Sequence, residues 1–347
     1  MYNPYYKISN KILKNLNRVS AAHNLIVNAP LIPKWEAKLR KEAMIRSAHF
    51  STSIEGNKLT LEEVKAVFEG KTVYARPRDK QEVLNYKKVL EFINKEPELT
   101  IETIKKINKI NLEKIDEKNG GKFREVQNYV IREKAGKREI IYTPPKSSEV
   151  PKLMQDLVLW IENAIKKEVS PIIIAAISHY ELVSIHPFID GNGRTARALA
   201  TLILYKLGYD TKRLFSLEEY YDQDLASYYS ALQSGQKDRG KKEELTFWLE
   251  YFSEGIANEL TRIEKQILDI SRDKMLKEKV GQLELNQRQI KAVAYLQKKG
   301  KITNKEYQKL FPKLNRKTLA RDLKELADKK LIKMKGEKKG VYYEINI

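Results

Sequence analysis

Long stretches of the chain repeat apolar residues at helical spacing. Leu153, Leu157, Trp160, Ile161 and Ile165 form one such face, because residues three and four apart fall on one side of a 3.6-residue turn. The same spacing predicts helices over residues 34–50, 172–184, 195–207 and 247–270. The helix at 172–184 should stop before Pro187, which has no amide hydrogen to give a helix interior, and Gly208 should stop the one at 195–207. One interval breaks the pattern. Residues 127–132 and 137–142 are rich in β-formers and flank Ala135-Gly136, which predicts a small hairpin ended by Pro144-Pro145. The expected fold is mainly α, a helical core carrying one β-hairpin.

The end of the chain changes character. Helices over 286–299, 304–310 and 315–329, then short strands at 331–335 and 341–345, predict a winged helix-turn-helix domain over 284–347. The charged stretch 273–283 lacks strong periodicity and reads as a linker, leaving 1–272 as the main region. Charge bears on this division. The net charge is +20, and residues 281–347 hold 18 Lys/Arg against 7 Asp/Glu, a surplus of 11. So localised a surplus suits a polyanion-facing surface. On the third helix Arg316, Lys317 and Arg321 would face outward to read duplex DNA, while Leu319, Leu323 and Leu326 pack inward. Lys333, Lys335, Lys338 and Lys339 would meet phosphates around the wing. A protein-docking or dimerisation module is the alternative reading of the same pattern.

Absences narrow the function class. The chain has no cysteine, which excludes disulfides and thiolate chemistry. The opening residues lack an apolar signal core, and the longest apolar runs, 171–177 and 198–205, are too short to span a bilayer. A cytoplasmic protein with no membrane partner is expected.

The chemistry concentrates in HPFIDGNGRTAR, residues 186–197. Gly191 and Gly193 permit backbone geometries that let amides converge on one point, and the loop feeds a helix at about Arg194. A glycine-containing loop at a helix N-terminus is an anion site. Arg194 and Arg197, three residues apart, share one helix face suited to phosphate oxygens. Asp190 offers an oxygen ligand of the kind Mg²⁺ takes alongside substrate phosphates. His186 is a side chain poised near neutral pH to remove a proton. Together these parts describe attack of a hydroxyl on a Mg²⁺-nucleotide phosphate.

Residues His186 to Arg197 resemble the Fic family motif, HPFx(D/E)GNGRxxR, at every defining position. His179, seven residues upstream, the GKFR segment at 121–124 and the hairpin ending in Tyr142-Thr143-Pro144-Pro145 are similar to the family as well. The resemblance covers roughly residues 30–260. It implies AMP transfer from ATP, with Mg²⁺, to a Ser, Thr or Tyr hydroxyl of a target protein, the chain itself included. It implies His186 as base, Asp190 as metal ligand, and Gly191, Asn192 and Gly193 as phosphate cradle. Arg194, Thr195, Ala196 and Arg197 would complete the nucleotide contacts, Arg194 and Arg197 at the β/γ end, while Tyr228 and Tyr229 would line the adenine site. The flap, about 124–145, would hold the target along Ile140, Ile141 and Tyr142 as an added strand. His179 would be structural.

A second motif, STSIEGN at 51–57, follows a helix expected at about 34–56 and matches the family's inhibitory pattern (S/T)xxxE(G/N) through Ser51, Glu55 and Gly56. The resemblance implies that Glu55 pairs with Arg197 and excludes the γ-phosphate. In some relatives the equivalent glutamate also orients a water that removes AMP from the modified protein. A homodimer is left open. The alternative function is a DNA-binding regulator whose core senses nucleotide, a reading that the intact His186, Asp190, Asn192 and Arg194 disfavour.

Overall fold

Helical spacing folds as helix in a computed structural model that describes all residues except 1, 30, 32, 135–136, 237–243, 284, 338–339 and 347. The chain forms two units, Met1–Glu264 and Lys265–Ile347. The first begins with α1 (Asn10–Asn28), α2 (Pro33–Ser53), α3 (Leu61–Phe68), α4 (Pro77–Ile93) and α5 (Ile101–Asn111). Strands β1 (Val130–Lys134) and β2 (Lys137–Tyr142) follow, then α6 (Val150–Lys166), α7 (Pro171–Ile185) and α8 (Asn192–Lys206). Helices α9 (Leu217–Gln223), α10 (Leu225–Gln236) and the first part of α11 (Thr246–Gln282) complete it.

Sequence dictates which helix is innermost. α7 is apolar around nearly its whole circumference, Ile172 through Leu182 being buried without interruption, and such a helix is stable only inside a core. Each Ile or Leu fully buried there stabilises the fold by about 1.5–3 kcal/mol. α6 and α8 pack on α7, α4 and α5 cover α8, and α2 lies against α4 and α9. This places the end of α7, the start of α8 and the end of α2 next to one another.

The hairpin differs from expectation at its first strand, which starts at Val130 instead of residue 127. Gln127 and Asn128 are committed elsewhere: Gln127 Nε2 donates to the Pro144 carbonyl at 3.0 Å, and Asn128 Nδ2 donates to that of Phe188 at 3.2 Å. The strands pair antiparallel with Ile131 opposite Ile140 and an irregularity between Val130 and Ile131. The turn expected at Ala135-Gly136 lies outside the described residues.

The second unit contains α12 (Gln287–Lys299), β3 (Lys301–Ile302), α13 (Asn304–Leu310), α14 (Arg316–Asp328), β4 (Ile332–Lys335) and β5 (Tyr342–Ile345). Its antiparallel sheet has the order β3-β5-β4. At two residues, β3 is too short to announce itself by alternation, and the sequence reading missed it. Reciprocal caps start α12 (Asn286 with Gln289) and α13 (Thr303 with Glu306), satisfying amides that the first helical turn leaves unpaired. Leu319, Leu323 and Leu326 of α14 are buried with Tyr307, Ile332 and Tyr343. Asp322, buried among them, accepts from Arg288 Nε at 2.7 Å and Asn286 Nδ2 at 3.0 Å.

Residues 273–282, read as part of a linker, are helical. α11 is helical to Gln282, and the two units divide after Glu264. Lys, Glu, Met, Leu and Gln make up most of this stretch and are strong helix formers, and Leu276 is buried with the core of the second unit. Among the described residues no helix is long and apolar enough to cross a membrane.

Candidate active site

α7 ends at Ile185, and His186 turns the chain with a left-handed backbone, φ 51° and ψ 58°. His186 Nδ1 lies 3.2 Å from the Val183 carbonyl. That contact assigns Nδ1 the ring hydrogen and leaves Nε2 as the acceptor. Burial holds the imidazole below its ordinary pKa of 6.5, so the ring is neutral, the form a base requires.

The loop after it is closed by one side chain. Phe188 N donates to Asn192 Oδ1 and Asn192 Nδ2 donates to the Phe188 carbonyl, both at 2.9 Å. Gly191, φ 78°, is the N-cap of α8, which therefore begins at Asn192, two residues before the expected start. The glycine's freedom is used here, since a Cβ on Gly191 would lie 3.1 Å from Asn108 Nδ2. The first amides of α8 are those of Asn192, Gly193 and Arg194, at the positive end of the helix. Two residues expected among the nucleotide contacts have buried side chains. Thr195 is fully buried with its hydroxyl donating to the Gly191 carbonyl at 2.7 Å, and Ala196 is fully buried in the core. Their side chains build the loop and do not face the cavity.

Arg194 and Arg197 differ in their partners. Arg194 is 2% exposed, with Nη2 3.4 Å from Asp190 Oδ1 and Nη1 4.0 Å from Glu82. Its Nε and Nη1 are buried without a hydrogen-bond partner among the described residues. Arg197 is fully engaged. Its Nε donates to Ser51 Oγ at 2.9 Å, and Nη2 donates to the Ser51 carbonyl and to Glu55 Oε1, both at 2.8 Å. Burial opposes the Arg197 charge, but Glu55, Tyr228 and Tyr86 together outweigh it and raise the guanidinium above its ordinary pKa. Gly56, φ 91°, stops the turn after α2 and aims Glu55 back toward α8. The carboxylate sits so close that a Cβ on Gly193 would collide with Glu55 Oε1. Glu55 thus covers the helix N-terminus and the arginine together.

A cavity of about 330 Å³ opens at this point, lined by His186, Gly193, Arg197 and Glu55 on one side and by Tyr228, Tyr229 and Leu232 on another. It lies in the range that small-molecule sites occupy. Tyr228 Oη is 2.9 Å from His179 Nε2. Burial, with Arg197 adding to it, keeps His179 well below its ordinary pKa. Of the expected target contacts, Ile140 is 56% exposed and Ile141 lines the cavity. Tyr142 lines the cavity as well, and its Oη donates to the Ser184 carbonyl at 2.8 Å, tying the flap to α7.

Three supporting residues escaped the sequence reading. Asn108 Nδ2 donates to the Asp190 carbonyl at 2.9 Å, and its Oδ1 accepts from Gly121 N at 2.9 Å. The available signal was a polar residue on the buried stripe of α5, beside Ile104 and Ile107. Arg124, read only as part of GKFR, donates from Nε to the His186 carbonyl at 2.9 Å and from Nη2 to the Pro145 carbonyl, joining catalytic loop and flap. Arg78 pairs with Asp190 at 3.2 Å, and nothing in the sequence pointed to it.

Asp190 Oδ2 can serve a cation only in company. No group of three or more His, Cys, Asp or Glu side chains among the described residues could hold a metal alone. One carboxylate plus substrate phosphates is, however, the donor set Mg²⁺ accepts, so these residues fit that ion.

Solved structures share this fold. A Fic family protein from Desulfovibrio desulfuricans G20 superposes with a TM-score of 0.66 at 22% identity, covering 99% of this chain and 98% of its own. Fic-1 (residues 134–508) from C. elegans superposes with 0.61 at 24% identity, covering 76% and 74%. Fold and loop together define a Fic-type helical domain. Residues 98–204 match the Fic/DOC family model. Over 178 residues it is 34% identical to the protein adenylyltransferase Fic of Drosophila grimshawi, covering 50% of this chain and 35% of that protein. The corresponding Drosophila willistoni protein is also 34% identical, with 50% and 34% covered. The chain spans about a third of the length of these curated relatives.

Proposed function

We propose that the first unit is a protein adenylyltransferase restrained by Glu55. The observation that carries this reading is one cavity that joins a neutral His186, the N-terminus of α8 and a buried Arg197 already bound to a carboxylate. Such a site is built for an anion in reach of a base. ATP would lie with its phosphates along Gly191 to Gly193 and its γ end toward Arg197, Tyr228 and Tyr229 flanking the adenine. A target Ser, Thr or Tyr hydroxyl gives its proton to His186 Nε2 as its oxygen bonds the α-phosphorus. The bond from that phosphorus to the β-phosphate oxygen breaks, and pyrophosphate leaves. Mg²⁺, when held by Asp190 and the phosphates, supplies charge neutralisation. The target's backbone would pair with the flap beside Ile140. The relatives named protein adenylyltransferases align over half of the chain.

The test separates AMP transfer from phosphoryl transfer. Incubated with a cell lysate, the Glu55→Gly variant should pass label from α-labelled ATP to protein and none from γ-labelled ATP. Label carried over from the γ position would contradict the reading.

The pH profile follows from His186. The base acts when deprotonated, and its pKa lies below 6.5 through burial, with Glu55 among the groups that raise it. Removing Glu55 lowers it further. The acid limb of the transfer rate of the Glu55→Gly variant should therefore be centred below pH 6.5. An acid limb centred above 6.5 would sink the assignment.

The charge of the second unit supports a winged-helix module that binds duplex DNA. Arg316, Lys317 and Arg321 stand exposed on α14 while its leucines are buried. Lys338, assigned to the same surface, lies outside the described residues. Removing residues 284–347 should abolish a salt-dependent gel shift while AMP transfer persists. Absence of any shift with the full chain would favour protein docking instead.

A further inference from the structure

Two groups that substrate would use are each held by the N-terminal half. Glu55 holds Arg197, and Arg78, on the first turn of α4, holds Asp190. Arg78 Nη2 donates to Asp190 Oδ2 at 3.2 Å, and its Nε donates to Glu82 Oε1 at 3.0 Å. Asp190 Oδ1 is turned inward, to the Gly191 amide at 2.5 Å and Arg194 at 3.4 Å. Oδ2 is thus the oxygen left for a cation, and Arg78 is its hydrogen-bond partner among the described residues.

We propose that Arg78 competes with the divalent cation for Asp190 Oδ2 and so sets the cation concentration at which the nucleotide site fills. This rests on the adenylyltransferase reading above. A guanidinium and a divalent ion on one carboxylate oxygen repel each other, so the cation enters only as Arg78 leaves. Departure is made easy by the surroundings. The Arg78 side chain is 61% exposed, and it keeps Glu82 when it gives up Asp190. Glu82 in turn accepts from Asn57 Nδ2 at 3.0 Å, two residues beyond Glu55. Arg78 therefore bridges two carboxylates, one in the catalytic loop and one bracing the segment that carries the inhibitory glutamate. It positions and gates Asp190 and touches no reacting atom.

The experiment uses the full-length chain in a Glu55→Gly background, with Mn²⁺ as the probe. The free-Mn²⁺ electron paramagnetic resonance signal is titrated at a fixed concentration of a non-hydrolysable ATP analogue. An exposed ion pair of this kind corresponds to about a two- to fivefold shift. Arg78→Ala should lower the Mn²⁺ midpoint by that factor, and Arg78→Lys, which keeps the charge, should stay near the parent. An unchanged midpoint in Arg78→Ala overturns the proposal, as does a raised one, which would make Arg78 a nucleotide ligand. A lysine variant matching alanine would also overturn it, since charge would then not be the competitor. No nucleotide-dependent Mn²⁺ binding by the parent would remove the adenylyltransferase reading as well.

Discussion

Replacing His186 with alanine should cut AMP transfer by about 10²–10⁴-fold, the range a positioned general base contributes, with ATP binding nearly unchanged. The ring has one free acceptor, Nε2, because Nδ1 faces the Val183 carbonyl at 3.2 Å, and it opens into the cavity beside Gly193 and Arg197. It bears on the attacking hydroxyl, which exists as a partner only when target is bound, so its loss acts on the transition state more than on the nucleotide complex. The fold tolerates the change. The turn at residue 186 is fixed by backbone, Arg124 holding its carbonyl at 2.9 Å and Asn192 closing the loop on Phe188. Single-turnover transfer in the Glu55→Gly background, with nucleotide affinity measured alongside, checks it. Transfer at the parent rate would remove His186 from the chemistry.

Removing the Glu55 side chain should act in the opposite direction. Glu55 sits on Arg197, so in the proposed reaction a γ-phosphate would have to displace it from the guanidinium and would meet a like charge there. A charge-assisted hydrogen bond is worth about 1.5–3 kcal/mol, or about 10- to 150-fold in the population of productive ATP. Glu55 is 35% exposed, and solvent screening moves the expectation toward the lower end. Arg197 stays in place without Glu55, since Ser51 holds it through both Oγ and the backbone carbonyl. Modified target should accumulate faster in Glu55→Gly, measured as labelled AMP on protein over time.

How much of this is legible in the sequence depends on where the chemistry lies along it. The loop from His186 to Arg197 is contiguous, so residue type and spacing carry the whole arrangement. The pairing of Glu55 with Arg197 spans 142 residues, and only the resemblance of two motifs to one family joins them. Asn108, Arg124 and Arg78 act on the loop from 82, 62 and 112 residues away, and each is an ordinary polar side chain until tertiary packing delivers it. Side-chain direction is equally hidden. Thr195 and Ala196 sit at motif positions yet point into the protein, because a helix of the core has most of its circumference buried. The helix through 273–282 shows little periodicity in the sequence, yet Lys, Glu, Met, Leu and Gln there favour helix and Leu276 is buried in the core of the second unit.

The central claim, an adenylyltransferase held in check at Arg197, is tested most directly by one time course. Labelled-AMP incorporation is followed for the wild type, Glu55→Gly and Glu55→Gly/Arg197→Ala. A rise in Glu55→Gly of about tenfold or more that the second substitution abolishes is the predicted result. Equal incorporation by the wild type and Glu55→Gly would contradict it and leave residues 51–57 as no more than the end of a helix.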